Sequence, residues 1–576
     1  WEIELMKLLQ IALPRSSAGT THFPVNCRFF RLLLLILLLN SQPQPLQAEL
    51  SLPNIFGDHM VLQQDKPIRV WGWETAGKEV TATWAGQTRK ATAAPDGSWS
   101  VHFDPVKATF AGRKLVVNSG AKSITISDIL VGEVWLCGGQ SNMEWTLRST
   151  RDADLEISCA DYPAIRFIRL PKIARQHPQA DFPVESPQNP VGNWRLCTTE
   201  QVENCTGVGY YFARRVHRQL KVPVGLIDTS WGGTMAQHWV SQETLKPFPE
   251  MKPYLDRFNE KLQAWIDGGH EAGASKRFEA DVKAWEVKAA EARANKARIP
   301  GKPNPNAYQN PANQGQPGGM YNGVLAPLAP FTLRGVIFYQ GENNSFVEAW
   351  KPFHRTFPAV ISDWRKAFDN PQMPFGIIQI AGWSTRRSMT YDMNHHTNVI
   401  REIQFNTWKK TPQTGLIVTF DTNSTRGIHP QRKLPVGERT ARWALAEVYQ
   451  VEDERARRPL EWRGPVYKSF KIEQTKIVVS FEENTNRGLL LDQDVEVGFY
   501  IAGEDQTFHH ARARIVKDNQ LEIWSDDVPK PVAARYGWSN LPMGGLMNFR
   551  ELPAYPFRTD KWPLTPHQST GSYITN

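Results

Sequence analysis

A chain of 576 residues, 41% hydrophobic and 22% charged, has the composition of a globular protein and is long enough for two to four domains. Its net charge of +9 is modest for this length and is not gathered into a long basic run interleaved with aromatics, which argues against a nucleic-acid-binding surface. The 21 Trp, 14 Tyr and 27 Phe suit stacking on sugar rings as well as filling cores.

The first feature in chain order is "CRFFRLLLLILLLNSQPQPLQAEL", where Arg28 and Arg31 precede an apolar run from Leu32 to Leu39 and a polar stretch ends at Ala48. That run is too short to cross a membrane, which takes about 20 helical residues. It reads as the basic and apolar regions of a secretory signal cleaved after Ala48, with an extended leader or misassigned start before Arg28. The expected location is therefore periplasmic or extracellular, without stable membrane insertion. Beyond the signal, Cys137, Cys159, Cys197 and Cys205 allow three complete disulfide pairings, and a short Cys197–Cys205 clip is one candidate element of them. No CxxC pair or HExxH motif points to a metal.

Residues 49–125 alternate polar and apolar positions in short runs separated by turns such as "DGSW" and "NSG", which predicts an antiparallel β-domain. From 126 to 249 the pattern changes to the buried-strand candidates "ILVGEVWLCG" and "VGLIDTSWGG" flanking the helical "GVGYYFARRVHRQL". Buried strands alternating with helices predict an α/β layer with a mainly parallel sheet. Residues 250–318 interrupt it: Phe258, Leu262, Trp265 and Ile266, then Phe278, Val282, Trp285 and Ala289, recur at helical spacing before the irregular "IPGKPNPNAYQNPANQGQPGG". The α/β pattern resumes over 319–465 with "LRGVIFYQGENN", "MPFGIIQIAGW" and "TGLIVTFDTN", then a helix from about Glu438. Residues 466–576 return to short alternating strands, a second β-domain with a tail.

The chemistry gathers at predicted strand ends, where ligands bind in open α/β folds. "VWLCGGQSNMEW" places Ser141 just after an apolar strand and two glycines, a context for a nucleophile with backbone N–H groups turned toward it. "STRGIHPQRK" supplies His429, whose neutral imidazole suits a general base that returns its proton to the leaving group. "FYQGENN" supplies Gln340, Glu342, Asn343 and Asn344, an amide donor for an oxyanion and a carboxylate for a base or a sugar hydroxyl. In "DTSWGGTMAQHW", Gly232 and Gly233 allow a backbone N–H to approach the same point. Trp231, Trp239 and Trp383 are candidate sugar platforms, and His395 and His396 form an exposed-looking pair.

"GGQSNMEW", "IDTSWGGTMAQHW", "FYQGENN" and "GIHP", in this order, resemble the sialate O-acetylesterase family of SGNH-type serine hydrolases. The flanking "LPNIFGDHMVLQQDKPIRVWG", "GGMYNGVLAPLAPFTLRGVIFYQGE" and "LPAYPFR" are also similar to that family, so the likeness spans the chain from about residue 50 onward. The resemblance implies a flavodoxin-like α/β esterase core with accessory antiparallel β-domains and the helical insertion noted above. It implies that Ser141 attacks an acetyl carbonyl while His429 serves as base and then acid. An oxyanion hole would comprise the N–H of Ser141, an N–H from the Gly232 to Gly233 turn, and a side-chain amide, Gln340 or Asn344. No redox cofactor or metal is implied.

Many SGNH hydrolases carry an aspartate two or three residues before the histidine, whereas here those positions are Gly427 and Arg426. Asp421 or Glu342 could replace that acid in space, as could a Ser–His dyad steadied by a backbone carbonyl. Arg401 and Gln404 in "VIREIQ" resemble polar residues near the family's site, and Arg401 suits a bidentate contact to a sialate carboxylate. Together with Trp231, Glu342 and Trp383 they are the substrate-binding candidates. The resemblance favours O-acetyl groups on sialic acids, with acetylated xylan or another plant polysaccharide as the alternative substrate. A noncatalytic glycan-binding protein with a degenerate esterase core is the alternative from a different functional class.

Overall fold

The computed structural model describes residues 49–184, 191–346, 349–383, 396–423, 427–455, 457–492 and 498–563. The signal-like segment 1–48, His395 and Arg426 lie outside them. One long strand organises the rest. Strand β1 (Lys122–Gly139) pairs through its first half with Thr109–Ser119, the inner edge of an antiparallel sheet that continues to Glu79–Trp84 and Gln87–Thr92. Its second half becomes the centre of a different sheet, from Glu133 to Gly139.

That central sheet adds β2 (Asp161–Arg169), β3 (Trp194–Thr198), β4 (Val224–Asp228), β5 (Gly335–Tyr339), β6 (Phe375–Ile378) and β7 (Thr414–Ile417). Its order is β7-β6-β5-β1-β4-β2-β3, parallel throughout except for the edge strand β3. Every residue of β4, β5 and β6 is buried, which is why these segments read as unbroken apolar runs instead of alternating ones. Helices cover both faces. On the face carrying Trp135, α1 (Gly207–Leu220) contributes Phe212 and α6 (Leu434–Trp443) contributes Trp443, whose rings lie 5.0 and 6.1 Å from Trp135. On the other face Phe338 of β5 meets Trp364 of α4 (Phe353–Ala367) at 5.3 Å. α6 begins four residues before Glu438, because Pro435 starts a helix well: its ring presets φ and its missing N–H is not needed in the first turn.

The insertion after β4 forms α2 (Lys252–Asp267) and α3 (His270–Ala294), with Phe258, Trp265 and Ala289 buried and Ile266 exposed. C-terminal to the central sheet, antiparallel strands Tyr467–Glu473, Lys476–Phe481, Gln520–Trp524 and Arg512–Val516 form one sheet, and a second carries Phe499–Ala502 and Ala533–Tyr536. Residues 50 onward pack as one compact unit. Among the described residues the four cysteines are free thiols, with Cys197 and Cys205 both buried, so the candidate clip is a thiol pair and not a disulfide. No helix among the described residues is long and apolar enough to cross a membrane.

Candidate functional site

The chain leaves β1 in one direction toward β2 and β4 and returns across it to β5, β6 and β7, so the carboxyl ends of β4, β1 and β5 border a topological switch point. Ser141 stands there, at the start of a four-residue helix, Ser141–Glu144, two residues past the end of β1. Gly139 makes this turn with φ +124°, and a Cβ there would lie 2.1 Å from the Tyr339 carbonyl oxygen, so both the conformation and the close approach require glycine. The Gln140 N–H then donates to that carbonyl at 3.0 Å, tying the serine turn to the end of β5.

His429 arrives from the loop after β7, with Nε2 2.7 Å from Ser141 Oγ. For the hydroxyl to donate, Nε2 must be the unprotonated nitrogen and Nδ1 must carry the hydrogen. The Trp145 indole stacks on the imidazole at 5.0 Å and 25°, and its Nε1–H is held by the Ser149 carbonyl at 2.6 Å. Burial pushes the His429 pKa below its ordinary value, the Lys433 ammonium adds to this, and the Glu144 carboxylate opposes it. Both lowering influences favour the neutral imidazole.

Neither candidate acid is hydrogen-bonded to His429. Asp421 gives both oxygens to the Arg439 guanidinium at 2.7 Å each, a fork-to-fork pair that holds the β7 end to α6. Glu342 is 2% exposed and accepts from Asn142 Nδ2 at 2.6 Å, which also removes it from the sugar-facing surface. Burial raises the Glu342 pKa, an effect countered by its hydrogen bonds and by Lys433. Lys433 is itself buried and pushed down to about 7, and donates from Nζ to Asn142 Oδ1 at 2.5 Å. The carboxylate nearest in influence to His429 is Glu144, three residues after Ser141 on the same short helix.

The oxyanion candidates separate by what already occupies them. Gln340 spends its amide hydrogens on Gln140 Oε1 (2.7 Å) and the Thr234 carbonyl (2.8 Å). Asn344 donates to Gln237 Oε1 (3.1 Å) and the Ala349 carbonyl (3.2 Å) and accepts from the Ala236 N–H at 2.9 Å. Both amides are fully buried and brace loops. The Gly232 N–H donates to Glu144 Oε2 at 2.7 Å, and the other Glu144 oxygen pairs with Lys172. Among the described residues the N–H groups of Ser141 and Gly233 make no hydrogen bond within the protein. Asn343, between the two committed residues, is half-buried and lays its Nδ2 against the Gly233 carbonyl at 2.6 Å. The insertion reaches this turn as well, through the Gln314 side chain donating to the Gly232 carbonyl.

Arg401 does not face the site. It is 2% exposed and directs its guanidinium at the carbonyls of Ser539 and Ala381, while burial lowers its pKa to about 9. Gln404 is likewise buried, accepting from the Ile380 N–H (3.1 Å) and donating to the Gln340 carbonyl (2.9 Å), so it supports the β5 loop from beneath. Trp239 is a core residue with its Nε1–H on Thr234 Oγ1 at 3.0 Å, and His396 is buried at the start of α5 (Thr397–Lys410). Trp231 and Trp383 remain partly exposed, the latter edge-on to Phe346 at 5.4 Å. Asn142, Glu144 and Trp145 are further neighbours of the site whose roles no motif marks in the sequence. Their signal was position alone, since each lies within four residues of Ser141.

Residues 131–272 and 316–444 match the profile of a family described as carbohydrate esterase, sialic acid-specific acetylesterase. The chain is 26% identical over 483 residues to the sialate O-acetylesterase of Mus musculus and 27% identical over 473 residues to that of Rattus norvegicus. Each match covers 76% of this chain and 78% of the relative. A crystal structure described as a novel carbohydrate acetylesterase from Xanthomonas citri superposes with a TM-score of 0.70 at 28% identity, covering 89% of this chain and 100% of that one.

Proposed function

Because the chain belongs to the sialate O-acetylesterase family and is a carbohydrate O-acetylesterase, we propose that it works through an acetyl-serine on Ser141. The 2.7 Å contact between Ser141 Oγ and His429 Nε2 at the sheet's switch point carries this reading. The order of β4, β1, β5, β6 and β7 corresponds to the 2-1-3-4-5 order of a flavodoxin-like sheet, which supports an SGNH-type core with β2 and β3 added at its edge.

In the proposed reaction Ser141 Oγ attacks the acetyl carbonyl carbon as its proton passes to His429 Nε2. The tetrahedral oxyanion is met by the N–H groups of Ser141 and Gly233 and by the second hydrogen of Asn343 Nδ2, whose first goes to the Gly233 carbonyl, since Gly232, Gln340 and Asn344 are already occupied. Collapse breaks the bond to the sugar oxygen, which leaves with the proton from His429. Water repeats the sequence on the acetyl-serine and releases acetate. Trp231 and Trp383 are the sugar-facing aromatics in this reading, and the signal-like residues 1–48 support an exported enzyme.

The relatives support O-acetylated sialic acids as the substrate class. A neutral acetylated polysaccharide is the second reading, favoured by the burial of Arg401, which leaves that guanidinium unable to receive a sialate carboxylate. The test is initial acetate release from a panel of O-acetylated sialic acids and acetylated xylan oligosaccharides, with Ser141→Ala in parallel. Turnover abolished by the substitution is expected, and the preferred panel member decides between the two classes. Absence of serine-dependent release from every member would overturn the reading in favour of a glycan-binding protein.

A further inference from the structure

Asn142 follows the proposed nucleophile and is 0% exposed, yet its side chain is fully engaged. Nδ2 donates to Glu342 Oε1 (2.6 Å) and to the Ile428 carbonyl (3.1 Å), and Oδ1 accepts from Lys433 Nζ (2.5 Å). The amide has one workable orientation, because a backbone carbonyl can only accept and an ammonium can only donate. Flipping it would set oxygen against oxygen at Ile428. Ile428 is the residue immediately before His429, so the amide ties the backbone that carries the imidazole to the short helix that carries Ser141.

The two charged partners come from separate elements: Glu342 from the loop after β5 and Lys433 from the residue that opens α6. Each is nearly inaccessible, at 2% and 1% exposure, and the Lys433 ammonium also lies 5.3 Å from the Tyr339 ring centroid. A carboxylate and an ammonium on opposite sides of one amide polarise it in the same sense, strengthening its N–H donors toward Ile428. His429, meanwhile, has no carboxylate on its own ring among the described residues.

We propose that Asn142 is a positioning residue through which Glu342 and Lys433 act on His429, taking over the task of an acid hydrogen-bonded to the imidazole. The carboxylate does not touch the ring; it fixes the amide, the amide fixes the Ile428 carbonyl, and that carbonyl sets where the imidazole meets Ser141 Oγ. This rests on the reading of Ser141 and His429 as nucleophile and base.

The test uses the full chain and a fluorophosphonate probe, which reports serine activation independently of the natural sugar. In labelling, the Ser141 Oγ–P bond forms, fluoride leaves with the P–F electron pair, and the serine proton passes to His429. Asn142→Ala and Glu342→Gln are each expected to slow labelling by about tenfold or more, the scale on which small misplacements act. With 4-nitrophenyl acetate they should lower kcat while KM stays within about twofold. Since both act through one amide, the double variant should label within about twofold of the slower single variant. If Asn142→Ala does not fold, Glu342→Gln and Lys433→Met form the same cycle. Multiplying losses, or single variants labelling at the wild-type rate, would overturn the relay while leaving the nucleophile in place. A wild-type protein unlabelled at Ser141 would instead overturn the nucleophile itself.

Discussion

At the scale of single residues, the environment of His429 makes a prediction with a definite sign. In the proposed reaction His429 must be neutral to accept the Ser141 proton, so kcat/KM is expected to fall as His429 protonates on the acid side. Its pKa is lowered from 6.5, first by burial and then by Lys433, which places the acid-limb midpoint below 6.5. Lys433→Met removes one lowering influence and should move the midpoint up, whereas Glu144→Gln removes the raising one and should move it down. A pH profile of kcat/KM for the three proteins checks this, and a wild-type midpoint above 6.5 or reversed displacements would contradict it. Ser141 and His429 were legible as candidates from strand-end position together with the order of the motifs, and the structure brings them to 2.7 Å. The side-chain oxyanion donor was not. Gln340, Asn343 and Asn344 are chemically alike and nearly adjacent, and only the contacts that commit Gln340 and Asn344 separate them. The burial of Arg401 was hidden for a related reason, since an arginine whose partners are backbone carbonyls leaves no mark on the sequence.

At the scale of elements, the seating of α6 on α1 deserves a direct test because α6 follows the His429 loop. A Cβ on Gly437 would fall 2.5 Å from Tyr211 Cβ and 2.8 Å from the Val208 carbonyl, both on α1, so the helices approach as closely as glycine allows. Gly437→Ala is expected to destabilise the fold by about 1–3 kcal/mol through overpacking. Thermal melting checks this, and an unchanged Tm would show that the helix pair yields without cost. α1 was legible from end to end, with Thr206 accepting from the Gly209 N–H at its start and Lys221 in the left-handed region just past it. α6 starts four residues ahead of the position its apolar pattern suggests, because Pro435 in its first turn extends it toward the His429 loop. The parallel strands were readable as buried runs. Their spatial order was not, since periodicity within a run carries no information about which run lies beside it.

At the scale of the whole molecule, Glu133 is the point where distant segments meet. This fully buried carboxylate in β1 accepts from Gln64 Nε2 (2.6 Å), Arg334 Nε (2.6 Å) and the Tyr449 hydroxyl (2.9 Å). Glu133→Ala would strip these donors of their acceptor and is expected to cost about 3–5 kcal/mol, the range for breaking a buried pair. Because β1 belongs to both sheets, calorimetry should show the loss as a downward shift of one shared transition. A separate early melt of the N-terminal strands would contradict this. The shared strand also bears on engineering. A domain joined by a linker can be deleted, exchanged or acquired as a cassette, but cutting this chain at the turn between Ser119 and Lys122 would leave the core with a raw sheet edge on the very strand that presents Ser141. Expression boundaries drawn at that turn should therefore yield aggregates instead of a smaller enzyme.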